Sequence, residues 1–258
     1  MTYGNTQSLF CAIILSRHLN PKLEYRILEM SDSKFSDWLH NNGYNLGGKR
    51  FKLFSFSNLR FSRYKVEINK EDEKNSYIKI DGDKAYLDIC FWPERSTIEF
   101  INGLLQDGTL SVFNAHYRVD FKIINIQREP TVTDFGSCKF KALSPICVKQ
   151  HKATDTVFLC PTDPQYAKGI LNGLKSRYRI ATGNEIIMDD ADFSFEIIPG
   201  SKPKSKLITI KADKESETRV RGYMFDFYMK APAELMHFAY ESGIGEECSQ
   251  GFGYIKLK

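Results

Sequence analysis

The sequence predicts an α+β fold of two βαββαβ units in tandem, that is, two ferredoxin-like (RRM-like) domains, and three observations carry that prediction. Short apolar runs with strand patterning alternate with stretches that have helix start and stop signals. The same order of elements can be read twice along 258 residues, enough chain for two domains with real cores. Between the two readings lies a polar segment, R-E-P-T-V-T-D-F-G at 128–136, marked by Pro130 and Gly136.

In the first unit the run L-F-C-A-I-I-L predicts a buried strand over 8–15. It is far shorter than the roughly 20 residues that a membrane helix requires. A helical region over 24–41 follows, then F-K-L-F-S-F-S, whose alternation predicts a strand over 50–58, and a further strand near 77–91. The second helix, 96–107, opens on S-T-I-E, a capping box in which Ser96 and Glu99 satisfy each other's orphan amides. Its Ile98, Ile101, Leu104 and Leu105 share one face, and a strand over 116–127 closes the unit. The first domain is thus read as 1–129 and the second as 136–258. The second repeats the order: strand 138–144, helix 164–178, strand 192–198, one or two strands between 205 and 228, helix 231–242 and a terminal strand 251–257. Pro232 near the start of the last helix and Gly243 past its end are the expected asymmetry of helix termini.

Composition narrows the function classes. The six cysteines, Cys11, Cys90, Cys138, Cys147, Cys160 and Cys248, form no C-x-x-C pair, and M-T-Y-G-N-T-Q lacks the basic opening of a signal peptide. Reduced thiols in a cytoplasmic protein with no membrane partner are expected. His18, His116, His151 and His237 show no metal-ligand spacing, and neither a Walker loop nor a G-x-S-x-G elbow occurs, so no metal and no cofactor is expected. A net charge of +4 is only mildly basic, but the charge is segregated. Between Leu46 and Val66 lie Lys49, Arg50, Lys52, Arg60, Arg63 and Lys65 with no acid, interleaved with Phe51, Phe54, Phe56, Phe61 and Tyr64. Further acid-free basic runs fall at 165–184 and 202–211, the second with Lys204 and Lys206, while Arg219 and Arg221 alternate on a predicted strand. Converging cations of this kind suit the phosphates of a polyanion such as RNA.

Near the C-terminus two G-x-G pairs, Gly243/Gly245 and Gly251/Gly253, bracket Ser249 between a predicted helix and a predicted strand. Glycine at such a place lets backbone come close to a ligand or to other backbone, and an anionic ligand facing the amides is the expectation.

Four segments, W-L-H-N-N-G-Y with F-K-L-F-S-F-S (38–57), F-I-N-G-L-L (100–105), L-S-P-I (143–146) and G-I-G-E-E-C-S-Q-G-F-G (243–253), together resemble the CRISPR-associated endoribonucleases of the RAMP superfamily, the sixth Cas family. The resemblance spans nearly the whole chain. It implies metal-independent cleavage of precursor CRISPR RNA within each repeat, with the glycine-rich loop facing the RNA between the two domains. Members often carry a histidine in the L-H element, a tyrosine on the preceding helix and a lysine just before the F-S-F-S strand; here these are His40, Tyr25 and Lys52. The family often has a basic residue in the glycine loop, where this chain has Glu246 and Glu247.

Those three side chains suit the implied chemistry. Histidine, with a reference pKa of about 6.5, transfers protons near neutrality, so His40 is the proton-transfer residue. Lys52 stabilises developing phosphorane charge and Tyr25 orients or assists. In one continuous helix Tyr25 and His40 would stand roughly 22 Å apart, too far to share a phosphate. Either the helix breaks at S-D-S, 31–33, or Tyr25 leaves the site. The partner implied is CRISPR repeat RNA, with other Cas proteins of an effector complex and a homodimer left open. The alternative function is a non-catalytic RNA-binding paralogue or a structural subunit of an effector ribonucleoprotein.

Overall fold

The computed structural model describes residues 10–17, 24–25, 44–46, 49–51, 53–68, 70, 77–92, 108–113, 118–129, 132, 135, 138–151, 155–210, 215 and 217–258, with residues 10–51, 111–113, 118, 128, 129 and 190 described by backbone alone. Its first half holds β1 (Phe10–Arg17), β2 (Glu24–Tyr25), β3 (Tyr44–Leu46), β4 (Lys49–Phe51), β5 (Phe54–Phe56), β6 (Arg60–Phe61), β7 (Tyr64–Glu67), β8 (Tyr77–Ile80), β9 (Lys84–Phe91), β10 (Thr109–Phe113) and β11 (Arg118–Glu129). The main sheet runs β10-β11-β1-β9-β5. Each neighbouring pair is antiparallel. A strand as continuously apolar as β1 belongs in the middle of a sheet. It sits there, with Phe10 opposite Cys90 on one side and Glu129 on the other.

The second half holds β12 (Cys138–Ala142), β13 (Lys149–His151), β14 (Thr156–Phe158), α1 (Tyr166–Thr182), β15 (Ser194–Ile197), β16 (Lys204–Ile210), β17 (Thr218–Met224), β18 (Asp226–Lys230), α2 (Ala233–Ser242) and β19 (Ile255–Leu257). Apart from the hairpins β13-β14 and β16-β17, the order is β12-α1-β15-β18-α2-β19, the βαββαβ unit. Its sheet runs β15-β18-β12-β19, so the first strand lies between the third and the last. The strands β5, β9, β1 and β11 of the first half follow the same order, and the protein is a tandem of ferredoxin-like folds.

Packing follows from patterning. Helix α1 buries Tyr166, Ile170, Leu174 and Tyr178, one stripe at four-residue spacing, and leaves its basic residues outside. It ends where Gly183 takes φ 74° and its amide closes on the Arg179 carbonyl at 2.9 Å, four residues beyond the predicted end. The stripe continued past Tyr178 through R-I-A-T, and the glycine was the actual stop. Helix α2 buries residues around much of its circumference, as a helix held between two layers must. It packs against its own sheet and also against the first half, where the Trp92 and Phe238 rings meet edge to face at 5.5 Å. Strand β9 serves both sides: Ala85, Leu87, Ile89 and Phe91 face the first core, whereas Cys90 joins the core of the second half.

Three expectations change. The strand predicted near 77–91 is two strands, β8 and β9, separated at Asp81–Asp83, and β10 was not predicted. Tyr25 lies on strand β2, opposite Ile78, and not on a helix. Leu23, Tyr25 and Ile27 alternate in sequence, a period-two signal that the helical reading passed over. The remainder of the predicted helix over 24–41 and the helix over 96–107 lie outside the described residues. Among the described residues no helix is long and apolar enough to cross a membrane.

Candidate functional site

The four loop glycines all have positive φ: Gly243 82°, Gly245 77°, Gly251 86° and Gly253 73°. Gly243 follows α2 at ψ 174°, a backbone region open essentially to glycine alone. A Cβ there would sit 2.7 Å from Ser55 Oγ and 2.8 Å from Ser55 Cβ, so the loop and strand β5 are in backbone-limited contact. At Gly251 the added carbon would meet the Phe56 ring at 3.1 Å.

The loop is stitched to the segment 143–147. Gly253 N–H donates to the Pro145 carbonyl at 2.8 Å, Glu246 N–H to the Cys147 carbonyl at 2.8 Å, and Leu143 N–H to the Tyr254 carbonyl at 2.9 Å. The Tyr254 amide donates to Ser144 Oγ at 2.8 Å, while Asn58 N–H reaches the Leu143 carbonyl at 2.9 Å. F-S-F-S, L-S-P-I and the glycine loop, three motifs far apart in sequence, therefore form one knot at the junction of the two halves. The amides of Gly251 and Gly253 donate within the fold, to Cys248 and Pro145, which leaves the half-exposed and exposed tip Ser249–Gln250 as the outward part of the loop. The glycines are needed for protein-to-protein backbone approach, a demand that the ligand-facing expectation did not contain.

Glu246 and Glu247 do not present free negative charge. Lys149 Nζ pairs with Glu247 and lies 3.9 Å from Glu246, and the Lys149 amide donates to Glu246 Oε1 at 2.9 Å. Burial pulls the Lys149 ammonium down, but the Glu247 hydrogen bond and the two carboxylate charges outweigh it, and its pKa is raised. Lys149 was not singled out in sequence, where nothing links it to glutamates 97 and 98 residues away.

Arg177, read in sequence as part of a basic run, turns inward. Its guanidinium donates to the carbonyls of Gly243 at 2.6 Å and Ser242 at 3.2 Å, and stacks over Phe238. A cation on the orphan carbonyls at a helix C-terminus is favourable, and this one fixes where α2 hands over to the loop. Cys248 and Cys90 sit buried beside this junction. Burial raises both thiols, that of Cys90 to about 12, and Ser55 Oγ lies 3.1 Å from Cys90 Sγ.

On the other side of 143–147 the hairpin β16-β17 docks through mutual bonds between Ile146 and Tyr223, 2.9 and 3.0 Å. Its register puts Arg221 opposite Leu207 and Arg219 opposite Thr209, on the face away from the buried pair Ile208 and Val220. Lys204 and Lys206 pair with Met224 and Gly222 and lie on the same face as that buried pair. The four cations proposed as one group are thus divided between two faces of the ribbon. Arg221 also donates to Ser205 Oγ at 2.6 Å.

Of the catalytic candidates, His40 and Lys52 lie outside the described residues, and Tyr25 is placed by its backbone on β2. Lys49 and Arg50 begin β4, also as backbone, paired with Leu46 and Asn45 and leading into β5 beneath the glycine loop.

Fold and knot define the class: a tandem ferredoxin-like protein whose halves are joined by a C-terminal glycine-rich loop. A family model for the C-terminal part of the CRISPR associated protein Cas6 matches residues 127–257. The chain is 32% identical over 237 residues to the CRISPR-associated endoribonuclease Cas6 1 of Methanocaldococcus jannaschii, covering 90% of this chain and 81% of that one. It is 24% identical over 237 residues to the CRISPR-associated endoribonuclease Cas6 of Pyrococcus furiosus, covering 92% and 80%. A solved CRISPR associated protein Cas6 superposes with a TM-score of 0.71 at 25% identity, over 98% of this chain and 100% of that one. The product of a Cas6-related gene from Pyrococcus furiosus shares the fold at a TM-score of 0.75 and 21% identity, over 97% and 98%. The chain belongs to the Cas6 family.

Proposed function

We propose that this protein binds CRISPR repeat RNA and cleaves precursor CRISPR RNA within each repeat without a metal ion. The observation that carries the reading is the 32% identity, over nine-tenths of the chain, to a protein named as a CRISPR-associated endoribonuclease. The knot of F-S-F-S, L-S-P-I and the glycine loop supports it, because it holds the segment next to Lys52 against the C-terminal half.

In the proposed reaction the 2′-oxygen of the nucleotide before the cut attacks phosphorus while the bond to the 5′-oxygen breaks. The 2′-hydroxyl proton goes to a base, an acid returns one to the 5′-oxygen, and the products are a 2′,3′-cyclic phosphate and a 5′-hydroxyl. His40 serves as a proton-transfer residue, Lys52 stabilises the phosphorane and Tyr25 orients the group. RNA is held by Lys49 and Arg50, by the loop of Gly243, Gly245, Ser249, Gly251 and Gly253, and by Lys204, Lys206, Arg219 and Arg221 on the hairpin. Residues 1–129 form the domain with the chemistry and 136–258 the domain with the loop.

Replacing the nucleotide before the cut by its 2′-deoxy form tests the mechanism. Binding is expected to persist and cleavage to vanish; unimpaired cleavage would remove the 2′-hydroxyl from the reaction.

A further inference from the structure

β7 is the outer strand of the sheet β2-β8-β7 among the described residues. Its Tyr64 and Val66 stand opposite Ile80 and Ile78 and share their face, which at β8 closes the first core. At β7 that face runs out beyond the core: Tyr64 is 53% exposed, Val66 46% and Ile68, one pleat further, 69%. An apolar row on an outer strand with unpaired backbone groups is a template for another strand.

Charge selects the occupant. In an antiparallel pair, residues directly opposite share a face, so a second β7 must set Tyr64, Val66 and Ile68 against one another. Three symmetric registers do this. A two-fold axis at Lys65 puts Lys65 against Lys65, and an axis at Glu67 puts Glu67 against Glu67. An axis at Val66 puts Val66 against Val66, Tyr64 against Ile68 and, twice, Lys65 against Glu67. Only that register is free of like-charge opposition at these positions, and it is self-complementary, as an isologous interface requires.

We infer that β7 is a homodimerisation edge, pairing antiparallel with β7 of a second copy about a two-fold axis at Val66. The continuous sheet would then run β2-β8-β7-β7-β8-β2. At about 4.8 Å per strand it sets the two β2 strands, and so the two Tyr25 positions, roughly 24 Å apart at opposite edges. The inference is independent of the cleavage reaction.

Sedimentation velocity on the full chain tests it, with wild type, Lys65→Glu, Glu67→Lys and the double exchange K65E/E67K. Wild type is expected at twice the 29.7 kDa chain mass. Each single exchange turns both cross-strand pairs into like charges and is expected to weaken the dimer by at least about tenfold. The double exchange restores the pairs and the dimer, which separates the interface from any effect on folding. A monomeric wild type, or single variants that dimerise as tightly as wild type, would overturn the inference.

Discussion

Gly243 and Gly183 both have positive φ but stand in different surroundings, and that contrast sets the first prediction. Nothing lies within 4 Å of a carbon added at Gly183, whereas at Gly243 the Ser55 side chain and the Gly253 carbonyl are already there. Gly183→Ala should cost about 1 kcal/mol in urea unfolding, the backbone term alone. Gly243→Ala should cost at least about 2–3 kcal/mol, because overpacking adds to it. Arg177 gives a second test at this scale. Its fork spans two carbonyls, which an ammonium cannot reproduce, so Arg177→Lys should lose about 1–2 kcal/mol and lower the melting temperature. Neither role was legible in the sequence, since Ser55 lies 188 positions from Gly243 and Arg177 looked like any residue of a basic run.

At the scale of elements, strongly local signals survived and long-range ones did not. Pro232 and Gly243 bracket α2 as predicted, because caps act within a turn. The strand predicted over 251–257 shortens to β19 since Phe252, Gly253 and Tyr254 are taken up by the knot. The interval 205–228 was read as one or two strands, and it resolves into β16, β17 and the start of β18, whose lone Phe225 between two strands gives no turn signal. The arginines of β17 remain the natural phosphate contacts on the outward face of the ribbon. Reversing Arg219 or Arg221 to glutamate should weaken RNA binding and flatten the log–log salt dependence by roughly 0.7 per charge removed, with the circular dichroism spectrum unchanged. A salt slope equal to wild type would exclude that residue from the phosphates.

For the whole molecule, the junction sets the response to alkali. Cys90, Cys147 and Cys248 are all raised above their ordinary value of 9.0 by burial, Cys90 to about 12. Above pH 9 the unfolded chain releases protons that the folded chain keeps, so stability is full below about pH 9 and falls between there and 12. Urea midpoints at pH 7.5 and pH 10.5 should show this fall, and Cys90→Ala should reduce its steepness even if it lowers stability at neutral pH. The tandem fold was legible as a whole because the βαββαβ order repeats. The meeting of its halves was not, because it depends on three segments that no periodicity connects.

The most direct test of the central claim is cleavage of end-labelled repeat RNA in EDTA by wild type beside His40→Ala. Cutting by wild type alone, with RNA still bound by the variant, is the predicted result. Cutting by both would contradict the role given to His40, and tight binding without cutting by either would contradict endonuclease action itself.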